Sequence, residues 1–93
     1  MVNKKLIKIR KKLDTLDNSF LKLIKKRTNL VDQVLKNKKY KKDIVDKKRI
    51  KVILKNIAKK SKAQKIDIKI TNKIWKSMIS AYIDYEYRNF KKK

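Results

Sequence analysis

The sequence predicts an all-α fold, one long helix followed by two shorter ones, and three observations predict it. Apolar residues recur at spacings of three and four along most of the 93 residues. No alternating strand pattern runs longer than the stretch from Ile66 to Ile70, which borders a helical pattern. The chain also contains no Gly and no Pro to interrupt a helix.

The first helix is expected from about residue 4 to about residue 40. Leu6, Ile9, Leu13, Leu16, Phe20, Leu23, Leu30 and Val34 form a seam of coiled-coil type in which a single slot, Arg27, is polar. At 1.5 Å per residue such a helix is roughly 50 Å long. The remaining residues, folded back once, are too few to cover it, so the seam calls for a second chain.

A polar stretch from Lys39 to Asp43 breaks the pattern. Asp46 is a good N-cap for the second helix, because its carboxylate can accept from the free N–H groups of the first turn. That helix carries the stripe Ile50, Ile53, Leu54, Ile57 and Ala58. Ser61 to Lys65 reads as a short connection. Asp67 or Thr71 is expected to cap the third helix, whose stripe is Ile70, Ile74, Trp75, Met78, Ile79, Tyr82 and Ile83. Glu86 continues the same face, four residues beyond Tyr82. The whole is expected as one domain, 1–93, with Lys91–Lys93 a flexible tail.

Composition excludes much chemistry. With no Cys and no His there is no disulfide framework, no Ser–His or Cys–His nucleophile and no ordinary zinc or haem site. Without Gly there is no phosphate-cradling loop of the common kind, so no cofactor and no metal are expected. No apolar run approaches the roughly 18 residues of a spanning helix. Nor does the N-terminus carry a signal-peptide core, so a soluble cytoplasmic protein is expected. Function must rest on Arg, Lys, a few acids and packing.

The formal net charge is +23, from 27 Lys and 4 Arg against 8 acids. Such a balance suits nucleic acid, a membrane surface or a small anion. It equally suits Lys used throughout as a solvating residue, and charge alone does not decide. More telling are the places where the sequence departs from its own habits. Arg27 occupies a seam position with no acid three or four residues away in its helix. It either snorkels to the surface or aims a guanidinium at an anion. Where Lys does the general solvating, Arg10, Arg27 and Arg49 are candidates for bidentate binding of carboxylate or phosphate, and Arg88 is a weaker one. Glu86 is the only glutamate; it is either a surface acid at a helix end or a carboxyl built into a site. Arg10 and Arg27 stand 17 residues apart, roughly 25 Å along one helix. They can serve one small ligand only if Arg10 comes from a second, antiparallel chain.

These residues, in this order, resemble the all-α class of chorismate mutase. Ile9-Arg10-Lys11-Lys12-Leu13-Asp14-Thr15-Leu16-Asp17 is similar to that family's opening helix, and Leu23-Ile24-Lys25-Lys26-Arg27 to the Leu-Leu-x-x-Arg that follows. Val31 and Val34 lead to Lys38 at the spacing of the family's active-site lysine. Val45-Asp46-Lys47-Lys48-Arg49 resembles the entry to its second helix. The run from Ile74 through Trp75 and Tyr82 to Glu86 resembles its third.

The resemblance implies an intertwined antiparallel homodimer that rearranges chorismate to prephenate in aromatic amino-acid biosynthesis. Arg10 of the other chain and Arg27 would clamp the two substrate carboxylates. Lys38 would bond the ether oxygen, and Glu86 would face that oxygen. Arg49 would add positive charge, with Asp46 near the ring hydroxyl. Glu86 helps only when protonated, since an ionised carboxylate accepts hydrogen bonds and does not donate. The excess of cations would steer a dianionic substrate inward, an effect that salt weakens.

Two positions depart from the pattern. Ile50 stands where the family usually has Glu, and Tyr82 where a small Ser is common; both would line the substrate. The loop from Lys39 to Val45 is also about a residue shorter than in some relatives. These departures leave room for a non-catalytic relative or one acting on isochorismate. A basic helical module for nucleic acid is the alternative of a different kind. It explains the charge but neither the seam arginine nor the single glutamate.

Overall fold

The computed structural model describes residues 3–91, and among them there are three α-helices and no strand. Helix α1 spans Lys4–Lys36, α2 Lys47–Ala63 and α3 Ile68–Asn89, with a short 3-10 turn at Lys41–Asp43 between α1 and α2. The all-α expectation of one long and two shorter helices holds. Of the expected tail Lys91–Lys93, Lys92 and Lys93 lie outside the described residues.

The described residues fall into two compact units, divided between Gln33 and Val34. The first unit is helical from Lys4 onward. Asn3 caps it by accepting from the Leu6 N–H at 3.1 Å. Its apolar stripe, from Leu6 through Phe20 to Leu30, is only partly covered, each side chain being 40 % to 60 % exposed. A row of large aliphatic side chains in water is unfavourable by roughly 25 cal/mol per Å² left uncovered.

The second unit holds the last turn of α1, the 3-10 turn, α2 and α3. Helix α1 ends at Lys36, about four residues earlier than the seam predicts. Asn37 and Lys38 close the end with short-range bonds to the carbonyls of Val34 and Leu35. No apolar residue follows Leu35 before Tyr40 to reward another turn of helix. Leu35 is the buried residue of α1, whereas Val34, its neighbour in the predicted seam, is 52 % exposed.

Asp46 caps α2 as expected, its Oδ1 accepting from the Arg49 N–H at 3.0 Å. Seven Lys and Arg49 fall within α2 and no acid does. Opposite to them, Ile50, Ile53, Leu54, Ile57 and Ala58 are all half-buried, and α2 packs on α3.

The expected connection from Ser61 to Lys65 is corrected: α2 continues to Ala63, and the link is Gln64 to Asp67. Ser61 is buried within the helix. Its hydroxyl reaches the Ile57 carbonyl at 2.6 Å and is hydrogen-bonded to Thr71 Oγ1 at 2.8 Å. A serine inside a helix is therefore retained by a partner on α3 that the sequence pattern does not display.

The helix stops by backbone geometry instead. Lys65 takes a left-handed φ of 57°, the Ile66 N–H returns to the Ser61 carbonyl, and the Lys65 N–H returns to that of Lys62. This is the Schellman ending, made here with Lys where Gly is usual. Asp67, not Thr71, caps α3, accepting from the Lys69 N–H at 2.8 Å. On α3 Trp75, Met78, Ile79, Tyr82 and Ile83 are half-buried as predicted, but Ile70 and Ile74 are exposed. Leu35 and Ile44 are the buried apolar residues among those described. That is a thin interior for so many aliphatic side chains.

Candidate functional site

Within the second unit the fold brings together two side chains 48 residues apart. Lys38 Nζ donates to Glu86 Oε1 at 3.1 Å, and the side chains are 18 % and 9 % exposed. Burying both charges is costly, and breaking such a pair by deleting one partner strands the other. Lys38 sits just past the end of α1, where the chain turns. Glu86 sits in the last turns of α3, on the face that also carries Tyr82. The same ammonium donates to the Ile44 carbonyl at 3.3 Å. Tyr82 is half-buried, with its ring edge-on to that of Tyr85, centroids 6.3 Å apart.

The entry to α2 carries the next three candidates. Asp46 is exposed, with Oδ1 engaged in the cap; Arg49 is exposed one turn on, and Ile50 is half-buried. A shallow hollow of about 460 Å³ lies at this corner, lined by Lys42, Asp43, Val45, Asp46, Lys47 and Lys48. Within the first unit Arg10 is exposed on α1, and Arg27 is half-buried with its Nε shielded from solvent. Half-burial fits a guanidinium folded along the helix surface better than one fully extended into water. Arg88, the weaker candidate, is exposed, and its Nε donates to the Asp84 carbonyl one turn back.

Of the predicted residues, then, the described chain unites Lys38 with Glu86 and places Asp46, Arg49 and Ile50 on one turn. Sequence reading missed Ile44, the most buried apolar residue among those described at 3 % exposure, and its carbonyl. A backbone acceptor has no side-chain signature, although an apolar pair inside the polar loop, Ile44-Val45, was visible. It also missed Asp43, whose Oδ2 accepts from the Tyr40 N–H at 3.2 Å. Among the described residues no group of three or more acids comes together to hold a metal ion. No helix among them is long and apolar enough to cross a membrane.

What the arrangement offers chemically is a cation and a carboxyl that share one location. That suits stabilisation of charge developing on an oxygen. The family model described as chorismate mutase type II matches residues 9–87. No curated protein and no solved structure matches.

Proposed function

The chain belongs to the chorismate mutase type II family and is an isomerase of that activity, and we propose how its residues divide the work. The reaction is a unimolecular [3,3] rearrangement: one C–O bond of an enol ether breaks as a C–C bond forms. Catalysis then means holding a flexible dianion in its compact, reactive shape and stabilising the negative charge that grows on the ether oxygen. Arg27 and Arg10 take the two carboxylates. Lys38 donates to the ether oxygen, and Glu86, once protonated, donates to it as well. Arg49 supplies further positive charge, Asp46 accepts from the ring hydroxyl, and Ile50 and Tyr82 line the ring.

The distance from Arg10 to Arg27 along one helix requires that Arg10 be lent by a second copy lying antiparallel. The uncovered stripe of α1 supports this homodimer. Its place is the cytoplasmic route to phenylalanine and tyrosine, since prephenate leads to both.

The observation that carries the assignment is the Lys38–Glu86 contact. It pairs the two groups required at one oxygen, although they come from opposite ends of the second unit. The test is loss of chorismate absorbance with purified protein. Arg27→Ala is expected to lower kcat/KM by about a hundredfold or more, as removal of a preorganised charge-binding group does.

Arg10→Ala alone should lose comparably. An equal, co-refolded mixture of the two variants should regain about a quarter of wild-type activity, because half the dimers are mixed and each has one intact site. A protein that leaves chorismate untouched ends the assignment of roles. A mixture no more active than its components ends the shared site.

A further inference from the structure

An ammonium on a four-carbon stem is a poor fixed donor unless something immobilises it. Lys38 follows the end of α1, and one backbone bond, from its N–H to the Leu35 carbonyl at 3.1 Å, ties it to the helix. Two of the ammonium's three N–H bonds are committed, one to Glu86 Oε1 and one to the Ile44 carbonyl. The third is left for a ligand. Ile44 offers its carbonyl because it ends the 3-10 turn, its own N–H bonded back to the Lys41 carbonyl at 3.2 Å.

That turn is closed by a reciprocal pair. The Tyr40 N–H donates to Asp43 Oδ2 at 3.2 Å, and the Asp43 N–H donates to the Tyr40 carbonyl at 3.0 Å. The Lys42 ammonium rests over the Tyr40 ring, 5.4 Å from its centre.

We propose that Asp43 is a positioning residue: by closing the Tyr40–Asp43 turn it aims the Ile44 carbonyl at Lys38 and so sets where the remaining N–H points. The proposal rests on the reading of Lys38 as the donor to the ether oxygen. Asp43 itself is exposed, so its removal opens no cavity and uncovers no core. Its effect belongs to geometry, and an error of about 1 Å at a reacting atom is enough to cost a large factor in rate.

The test is a double-mutant cycle in the full-length protein. Asp43→Ala is expected to lower kcat about tenfold with KM changed less than about twofold, because the carboxylate-binding arginines are untouched. Asp43→Asn, whose Oδ1 can accept the same N–H, should stay within about twofold of wild type. On a Lys38→Met background Asp43→Ala should cost nothing further, since residues acting through one group are not additive.

Full kcat in D43A overturns the proposal. So does an equal loss in both backgrounds, or a D43N variant as slow as D43A, which would make the charge rather than the turn responsible. Wild-type kcat in K38M instead removes the donor role of Lys38 itself. If K38M falls to the uncatalysed rate, the contrast between D43A and D43N decides alone.

Discussion

At the scale of single residues, the chemistry turns on which form Glu86 holds. It accepts from Lys38 at 3.1 Å, an arrangement that suits the carboxylate. An ether oxygen is also an acceptor, so the proposed role needs the acid form. Protonated Glu86 donates and leaves Lys38 without a counter-charge, whereas ionised Glu86 repels the growing negative charge and retains the ammonium. Glu86→Gln, whose amide donates as the protonated acid does, is therefore expected to keep kcat within about tenfold of wild type, whereas Glu86→Ala, with no donor, should lower it about a hundredfold or more. Equal losses in the two variants, read by the decline of chorismate absorbance, would remove the donor role. Arg27 and Glu86 stood out as candidates because each broke a local habit of the sequence, and Asp46 because it reads as an N-cap. Ile44 was not, since its contribution is a carbonyl that every residue type possesses. Asp43 was visible as a polar loop residue, but its bond to the Tyr40 N–H depends on a turn that composition does not specify.

At the scale of elements, periodicity located all three helices and the cap Asp46, and offered Asp67 as one of two caps for α3, because spacing and capping are local properties. Two boundaries were misjudged where long-range contacts or backbone geometry decided them. Ser61 looked like a loop residue until its hydroxyl partner Thr71 was placed on α3, and Lys36 ended α1 without any Gly or Pro. The end of α2 makes a sharp prediction. Lys65 holds a left-handed conformation at φ 57°, which costs a residue with a Cβ about 1–2 kcal/mol. Lys65→Gly removes that cost but adds freedom to the unfolded chain. A net gain of about 0.5–1 kcal/mol is expected, read as a melting temperature higher by roughly 2–8 °C for a domain of this size. Lys65→Val should lower it, as a β-branched residue tolerates that region least. A glycine variant that melts lower would show that this ending of α2 is not under strain.

For the whole molecule, the proposed second copy starts from one helix too long for its own chain to cover. Among the described residues the stripe from Leu6 to Val34 is half-exposed, and two apolar residues, Leu35 and Ile44, are buried. An apolar seam specifies a face and not its neighbour, so the antiparallel second copy came from the family resemblance and not from periodicity. One feature of α2 reaches beyond the site. Its eight cations, with no acid among them, sit on a chain of net charge +23. Like charges at helical spacing oppose folding, and dissolved counterions relieve that strain. The same ionic cloud dulls the pull on an incoming dianion, since the Debye length shrinks from about 30 Å at 0.01 M to about 10 Å at 0.1 M. Robustness and capture must then answer ionic strength in opposite senses: added sodium chloride raises the melting temperature while kcat/KM declines. A protein whose two quantities fell together would owe its cations to pairing, not to crowding.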